Sequence, residues 1–247
     1  MEYNLRPVWN KVFKFDWKFG LFLILVVCIP RFVLVLDANA TKNYGYIGLA
    51  MIVSAVAPFI FLTRKGLKEI GITKPKNYRW LLIGFLTGLI LSLLFFCLGD
   101  YLYGDTLNNW YNYIAKSYNI PPDIGKDDRT TMFLKMAVTG MIFSPIGEEL
   151  FFRGIVHSSF ANSIGDKKAS IVDSSAFALT HISHFGLIFI GGQWDFLVLP
   201  TLIWVLGMFI TSIFFFVSKF YSGSIFGAIL CHSGFNLGMT YCIFYLL

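Results

Sequence analysis

The sequence is short of charge. Only 14% of its 247 residues are Asp, Glu, Lys or Arg, against about 25% in a soluble domain. With 56% hydrophobic residues gathered into long runs, that shortage excludes a soluble globular domain, a disordered chain and a collagen. Cysteine pairs are also lacking. Cys28, Cys97, Cys231 and Cys242 all stand inside apolar runs without a C-x-x-C spacing. No disulfide framework or zinc ribbon is implied, and the four read as small buried hydrophobes. There is no internal repeat and no low-complexity segment. No basic-aromatic cluster of the kind that tracks a nucleic-acid backbone is present, so the net charge of +6 is not a nucleic-acid footprint. It reads as Lys and Arg retained on the cytoplasmic side of a membrane. No small-x-small cleavage site ends the first apolar run, which reads as an anchor behind a cytoplasmic tail at 1–18 rather than as a cleaved signal peptide. What remains is an all-α, polytopic transmembrane helix bundle, a single domain over 1–247.

A spanning helix needs about 20 mostly apolar residues. Runs 43–63, 80–99 and 196–218 meet this without a charge, and 220–247 is a fourth. Three more are interrupted: 19–36 by Pro30 and Arg31, 131–157 by Lys135, Glu148, Glu149 and Arg153, and 169–190 by Asp173, His181 and His184. The expectation is seven spans. Alternate loops then carry thirteen Lys and Arg against four, which places the N-terminus in the cytoplasm. The basic stretch 64–79 is expected against anionic headgroups. The acidic stretch 105–130, with Pro121-Pro122, is an outer connector. Arg31 is expected to snorkel outward toward Asp37.

Ionisable groups inside a membrane are unfavourable by about 2.5–3.5 kcal/mol each on insertion scales, and their default reading is functional. Three sets stand out. In Gly147-Glu148-Glu149-Leu150-Phe151-Phe152-Arg153, Glu149 and Arg153 are i,i+4 and share a helix face, so they pair. Glu148 points about 100° away and lacks that partner. Glu149 therefore reads as a charge-balanced structural acid and Glu148 as a free base. In the second set Asp173, Phe177 and His181 fall at i, i+4 and i+8 on one face. Asp173 is either an acceptor that orients the His181 imidazole or a group at the headgroup boundary with no chemical part. In the third, His232 and Asn236 are i,i+4 and offer two donors to one point, which suits an oxyanion or a metal-bound water. Counted from the cytoplasmic ends of their spans, Glu148, His181 and His232 lie roughly 14, 20 and 15 Å deep. Independent polar decorations have little reason to agree in depth.

The order E-E-x-x-x-R, F-x-x-x-H, H-x-x-x-N on three separate spans resembles the CAAX-protease and bacteriocin-processing (Abi) family of intramembrane proteases. Glu148, Glu149 and Arg153, Phe177 and His181, and His232 and Asn236 carry the resemblance, over roughly 130–240, the expected catalytic core. The stretch GLKEIGITKPKNYRW at 66–80 also looks like what precedes this core in bacterial members. A further Gly-containing motif is poorly represented, with Gly207 as its remnant, a departure that touches packing more than chemistry. The resemblance implies a peptidase acting on a peptide or protein in the lipid bilayer. Glu148 and His181 activate a water, expected from the cytoplasmic side, and His232 and Asn236 steady the oxyanion. Glu148, His181 and His232 would suffice as ligands for zinc, but H-E-x-x-H is missing, and a metal-free glutamate mechanism accounts equally well for an unpaired Glu148.

For bacterial members the resemblance suggests pheromone or bacteriocin maturation, or bacteriocin self-immunity, at the plasma membrane. Two other readings stay open on the residues alone. One is a non-catalytic immunity or regulatory protein that binds a peptide or a sensor kinase. The other is a proton- or metal-coupled transporter, which would show repeated halves and broken helices.

Overall fold

The computed structural model describes residues 4–118 and 125–247, and Pro121-Pro122 lie outside the described residues. The chain is helical almost throughout. In order, its helices are α1 (Pro7–Asn10), α2 (Trp17–Thr41), α3 (Gly45–Phe61), α4 (Arg64–Glu69), α5 (Arg79–Tyr103), α6 (Trp110–Ser117), α7 (Lys126–Glu149), α8 (His157–Ile164), α9 (Asp166–Thr180), α10 (Val198–Ser222) and α11 (Ile225–Tyr245). A π-helical segment, Leu150–Val156, joins α7 to α8, and a 3₁₀ turn, His181–Ser183, ends α9. Side-chain caps satisfy backbone N–H groups left over at helix starts. Asp16 accepts from Lys18 N and Phe19 N at α2, and Thr63 Oγ1 accepts from Gly66 N at α4.

α2, α5 and α10 are each long and apolar enough to cross a membrane, and α3 is a shorter apolar helix. The protein is a helical membrane protein, as its composition predicts. α2 runs through Pro30 and ends only at Thr41. α10 extends to Ser222 and stops at Gly223, whose φ of +68° closes the helix in the left-handed region.

One expected span is corrected. The run 169–190 is not a continuous helix: α9 stops at Thr180, and 187–196 form an antiparallel hairpin of β1 (Leu187–Ile190) and β2 (Gln193–Phe196). Gly191 and Gly192, at φ +59° and +84°, make its two-residue turn, the pairing of positive φ values that a tight hairpin needs. Cys97 is a smaller correction. It is exposed on α5, whereas Cys28, Cys231 and Cys242 are buried.

The two ends of the bundle differ. At one end the N-terminal segment meets α8, where Ser163 Oγ accepts from Trp17 N, and it pairs with the end of α3 through Leu5 and Leu62. The basic stretch after α4 caps the α10–α11 turn there, with Ile225 N donating to Gly71 O and Lys76 N to Ser222 O. At the other end α6 meets the hairpin, with Phe189 N donating to Tyr113 Oη, and Asn39 Nδ2 of α2 donates to Ser183 O. Asn39, the head of an N-x-T sequon, is thus buried in the fold.

α11 packs along α5 with glycines on both sides. A Cβ on Gly88 would lie 1.8 Å from Cys231 O, and one on Gly234 2.0 Å from Phe85 O. Small residues allow this backbone approach, the main source of helix association where lipid replaces water. Gly207 serves packing likewise: its Cα faces the Phe95 ring, 2.3 Å from where a Cβ would stand.

Candidate active site

Glu148 is the penultimate residue of α7, and the backbone relaxes into the π-helix immediately after Glu149. Single π turns inside α-helices recur at functional sites. Every residue from Leu150 to Val156 is buried, so the turn sits in the middle of the bundle.

Glu148, His181, His232 and Asn236 line one cavity of about 260 Å³. The three segments that carry the motifs therefore meet around one cavity. Glu148 is 2% exposed. Its Oε1 accepts from Arg31 Nη2 at 2.9 Å and from Ser144 Oγ at 2.6 Å, while its Oε2 is buried without a hydrogen-bond partner. Two expectations are corrected here. Glu148 is not an unpaired acid, and Arg31 does not snorkel toward Asp37 but is buried against Glu148. The physical reason is common to both. Each charge would be left unbalanced inside the membrane, and pairing offsets part of the desolvation of both. Arg31 was the residue missed. The reasoning that marks Glu148 as functional applies equally to an arginine at the centre of an apolar run, and that signal was present beside Pro30.

Glu149 pairs with Arg153 as its spacing predicts, Arg153 Nη1 donating to Oε1 at 3.3 Å. It also accepts from His232 Nδ1 at 2.8 Å on the same oxygen. Arg153 donates from Nη2 to the carbonyl and hydroxyl oxygens of Ser212. Its guanidinium stands 4.5 Å from the Phe177 ring centre and 5.2 Å from that of Phe215, a cation–π cage. Phe177, chosen only for its place in a motif, is therefore a wall of this cage.

Asp173 does not orient His181. It accepts from His157 Nδ1 at 2.7 Å and faces Arg153 Nε at 3.7 Å. Residues eight apart share a helix face but stand about 12 Å apart along the axis, beyond the reach of an aspartate. His157, expected only as the end of a span, is buried and also faces Asp166. No spacing pointed to it, because its partners come from α9.

His181 instead donates from Nδ1 to Phe177 O at 2.7 Å. A carbonyl takes a hydrogen bond only from N–H, so in the neutral ring Nε2 holds the lone pair. Trp204 Nε1 donates to His181 O and anchors the 3₁₀ turn. His232 stacks on Phe215, centres 4.5 Å apart and planes within 13°. Asn236 Nδ2 donates to Gly140 O at 2.9 Å, which leaves its second N–H and its Oδ1. His184 lines the same cavity.

The contacts at Glu148 Oε1, His181 Nδ1 and His232 Nδ1 leave Glu148 Oε2, His181 Nε2 and His232 Nε2 as the atoms that would meet an ion. Among the described residues, however, no group of three or more His, Cys, Asp and Glu side chains is placed to hold one.

Residues 130–238 match the family model described as type II CAAX prenyl endopeptidase, Rce1-like. Neither the curated proteins nor the solved structures give a match. The matched segment contains Glu148, Glu149, Arg153, Phe177, His181, His232 and Asn236, and excludes Arg31. This match supports the CAAX protease family, whose members act on membrane-associated peptide or protein substrates, as the family that residues 130–238 resemble.

Proposed function

We propose that this protein is a polytopic intramembrane endopeptidase with its N-terminus in the cytoplasm, and that Glu148 is its general base. The observation that carries the reading is the division of labour between the two Glu148 oxygens. Oε1 is held by a cation and a hydroxyl, and Oε2 is left without a partner, on a side chain that lines the cavity together with three histidines and an asparagine.

The chemistry follows from that arrangement. A water between Glu148 Oε2 and His181 Nε2 gives one proton to the carboxylate as its oxygen attacks the peptide carbonyl carbon. The carbonyl oxygen takes up the negative charge. Asn236 donates to it from Nδ2, and His232 donates from Nε2 when its Nδ1–H is held by the Glu149 carboxylate. The C–N bond then breaks, and the proton on Glu148 passes to the leaving nitrogen, so the base ends the cycle as it began. Glu149, Arg153 and Phe177 hold His232 in register.

The compact chain fits the bacterial type of the family, a plasma-membrane enzyme of pheromone or bacteriocin maturation or of bacteriocin self-immunity. The direct test compares membranes that carry the wild type and Glu148→Gln at equal protein level, with mass spectrometry of membrane-associated peptides. Loss of specific cleavage products in the variant is the expected result and names the substrate. Identical peptide profiles would overturn the peptidase reading in favour of a non-catalytic immunity or regulatory partner.

A further inference from the structure

A second polar cluster lies behind the site, outside the cavity. His157 opens α8, Asp173 stands in the middle of α9 and Lys219 near the end of α10, and none of the three is among the cavity-lining residues. His157 is 3% exposed, and Asp173 and Arg153 are fully buried. A carboxylate only accepts, so His157 Nδ1 donates to Asp173 Oδ2, at 2.7 Å. Its Nε2 stands 3.3 Å from Asp166 Oδ1, and its ring lies 4.9 Å from that of Phe216. Asp166, the first residue of α9, is the member that meets solvent, with 67% of its side chain exposed.

The cluster continues toward the site. Asp173 Oδ1 faces Arg153 Nε at 3.7 Å, and the same nitrogen faces Glu149 Oε2 at 3.3 Å. Arg153 is therefore a cation shared by two carboxylates. Lys219 Nζ donates to Arg153 O and ties that backbone to α10. Glu149 Oε1 in turn accepts from both Arg153 Nη1 and His232 Nδ1. A series of contacts thus runs from the surface at Asp166 through His157, Asp173, Arg153 and Glu149 to an imidazole that lines the cavity. Buried charges that only offset one another's desolvation have no reason to end on that ring.

We propose that His157 and Asp173 are positioning residues for His232, acting through Arg153 and Glu149. The sharing of Arg153 is the physical link, because polar groups in a buried network polarise one another. His157 occupies one oxygen of Asp173 and so limits how strongly Asp173 draws Arg153 away from Glu149. Without the His157 donor, Asp173 draws the guanidinium toward itself, and Glu149 Oε1 is left more fully to His232. Without the Asp173 charge, the guanidinium settles on Glu149 and competes with His232 for the same oxygen. The two losses therefore move the His232–Glu149 hydrogen bond in opposite senses. The consequence for turnover rests on the peptidase reading, whereas the coupling itself rests on the contacts.

The test reads that hydrogen bond directly, as the proton resonance of His232 Nδ1–H in the full chain labelled with ¹⁵N-histidine in detergent. The resonance is assigned by its loss in His232→Gln. His157→Phe keeps a ring beside Phe216 and removes the donor, and it is expected to shift the resonance downfield. Asp173→Asn is expected to shift it upfield. Asp166→Asn, at an exposed position that does not endanger folding, is expected to give a smaller shift of the same sign as His157→Phe. An unmoved resonance in all three, or shifts of one sign in His157→Phe and Asp173→Asn, overturns the proposal. Under the peptidase reading Asp173→Asn also lowers kcat by about 10–100-fold, the usual loss for a group that orients a site residue, with KM little changed. An unchanged kcat beside a shifted resonance overturns the positioning role. Peptide profiles that do not differ between wild type and Glu148→Gln would instead remove the peptidase reading, and the signs of the shifts would still decide the coupling.

Discussion

Arg31 Nη2 donates to Glu148 Oε1 at 2.9 Å across 117 positions of sequence. The contact joins α2, which lies outside the family-matched segment, to the acid at the head of the motif inside it. Arg31 holds one carboxylate oxygen of a side chain that lines the cavity, so under the proposed function it acts through Glu148 as a positioning residue.

This pair predicts strong coupling. Arg31→Met alone leaves a buried carboxylate without its cation, a loss of about 3–5 kcal/mol for a buried pair. Glu148→Gln alone strands the arginine. The double variant removes both charges and is expected to be less destabilised than the sum of the singles by about 0.5–3 kcal/mol. Thermal unfolding of the four proteins in one detergent measures the cycle. Additive losses would show that the two charges are independently solvated.

Asn236→Ala tests the oxyanion assignment. The change removes the amide that faces the cavity and also the donor to Gly140 O. Loss of one oxyanion donor lowers kcat by about 10²–10³-fold, and KM is expected to change little. A KM effect with kcat preserved would place Asn236 in substrate binding instead.

Arg153 is expected to tolerate no substitute. Its guanidinium holds Glu149 and Ser212 while it lies between two aromatic rings, a planar fork that a lysine ammonium does not reproduce. Arg153→Lys should lower both the unfolding temperature and the activity. Phe215→Leu, which keeps the ion pair and opens one wall of the cage, should have the smaller effect. Expression level and thermal unfolding separate the two, and an Arg153→Lys protein as stable as the wild type would refute the role of the cage.

The α5–α11 contact gives a prediction independent of chemistry. Gly88→Ala would place a methyl group 1.8 Å from Cys231 O, and the helices must part to admit it, at about 1–3 kcal/mol for an overpacked contact. Gly48→Ala meets nothing within 4 Å and should change stability by at most about 0.5 kcal/mol. Unfolding in detergent compares the two directly, and equal stabilities would contradict the close approach.

Membrane residence, the helical class and the three motifs could all be read from residue order. Each depends on local composition or on spacing within one helix, as the Glu149–Arg153 pair illustrates at i,i+4. The ends of α9 and the hairpin were less legible. Gly191 and Gly192 sit inside an apolar stretch, where hydropathy masks a turn signal. The partners of the charged groups could not be read at all. Arg31 finds Glu148, His157 finds Asp173, and His232 finds Glu149, each across helices whose rotation is set by packing. The lining of the cavity has the same origin. Hydropathy measures how far a residue lies along its span, but only the packed bundle determines which side chains line the cavity and which space Arg153 and its aromatic rings fill.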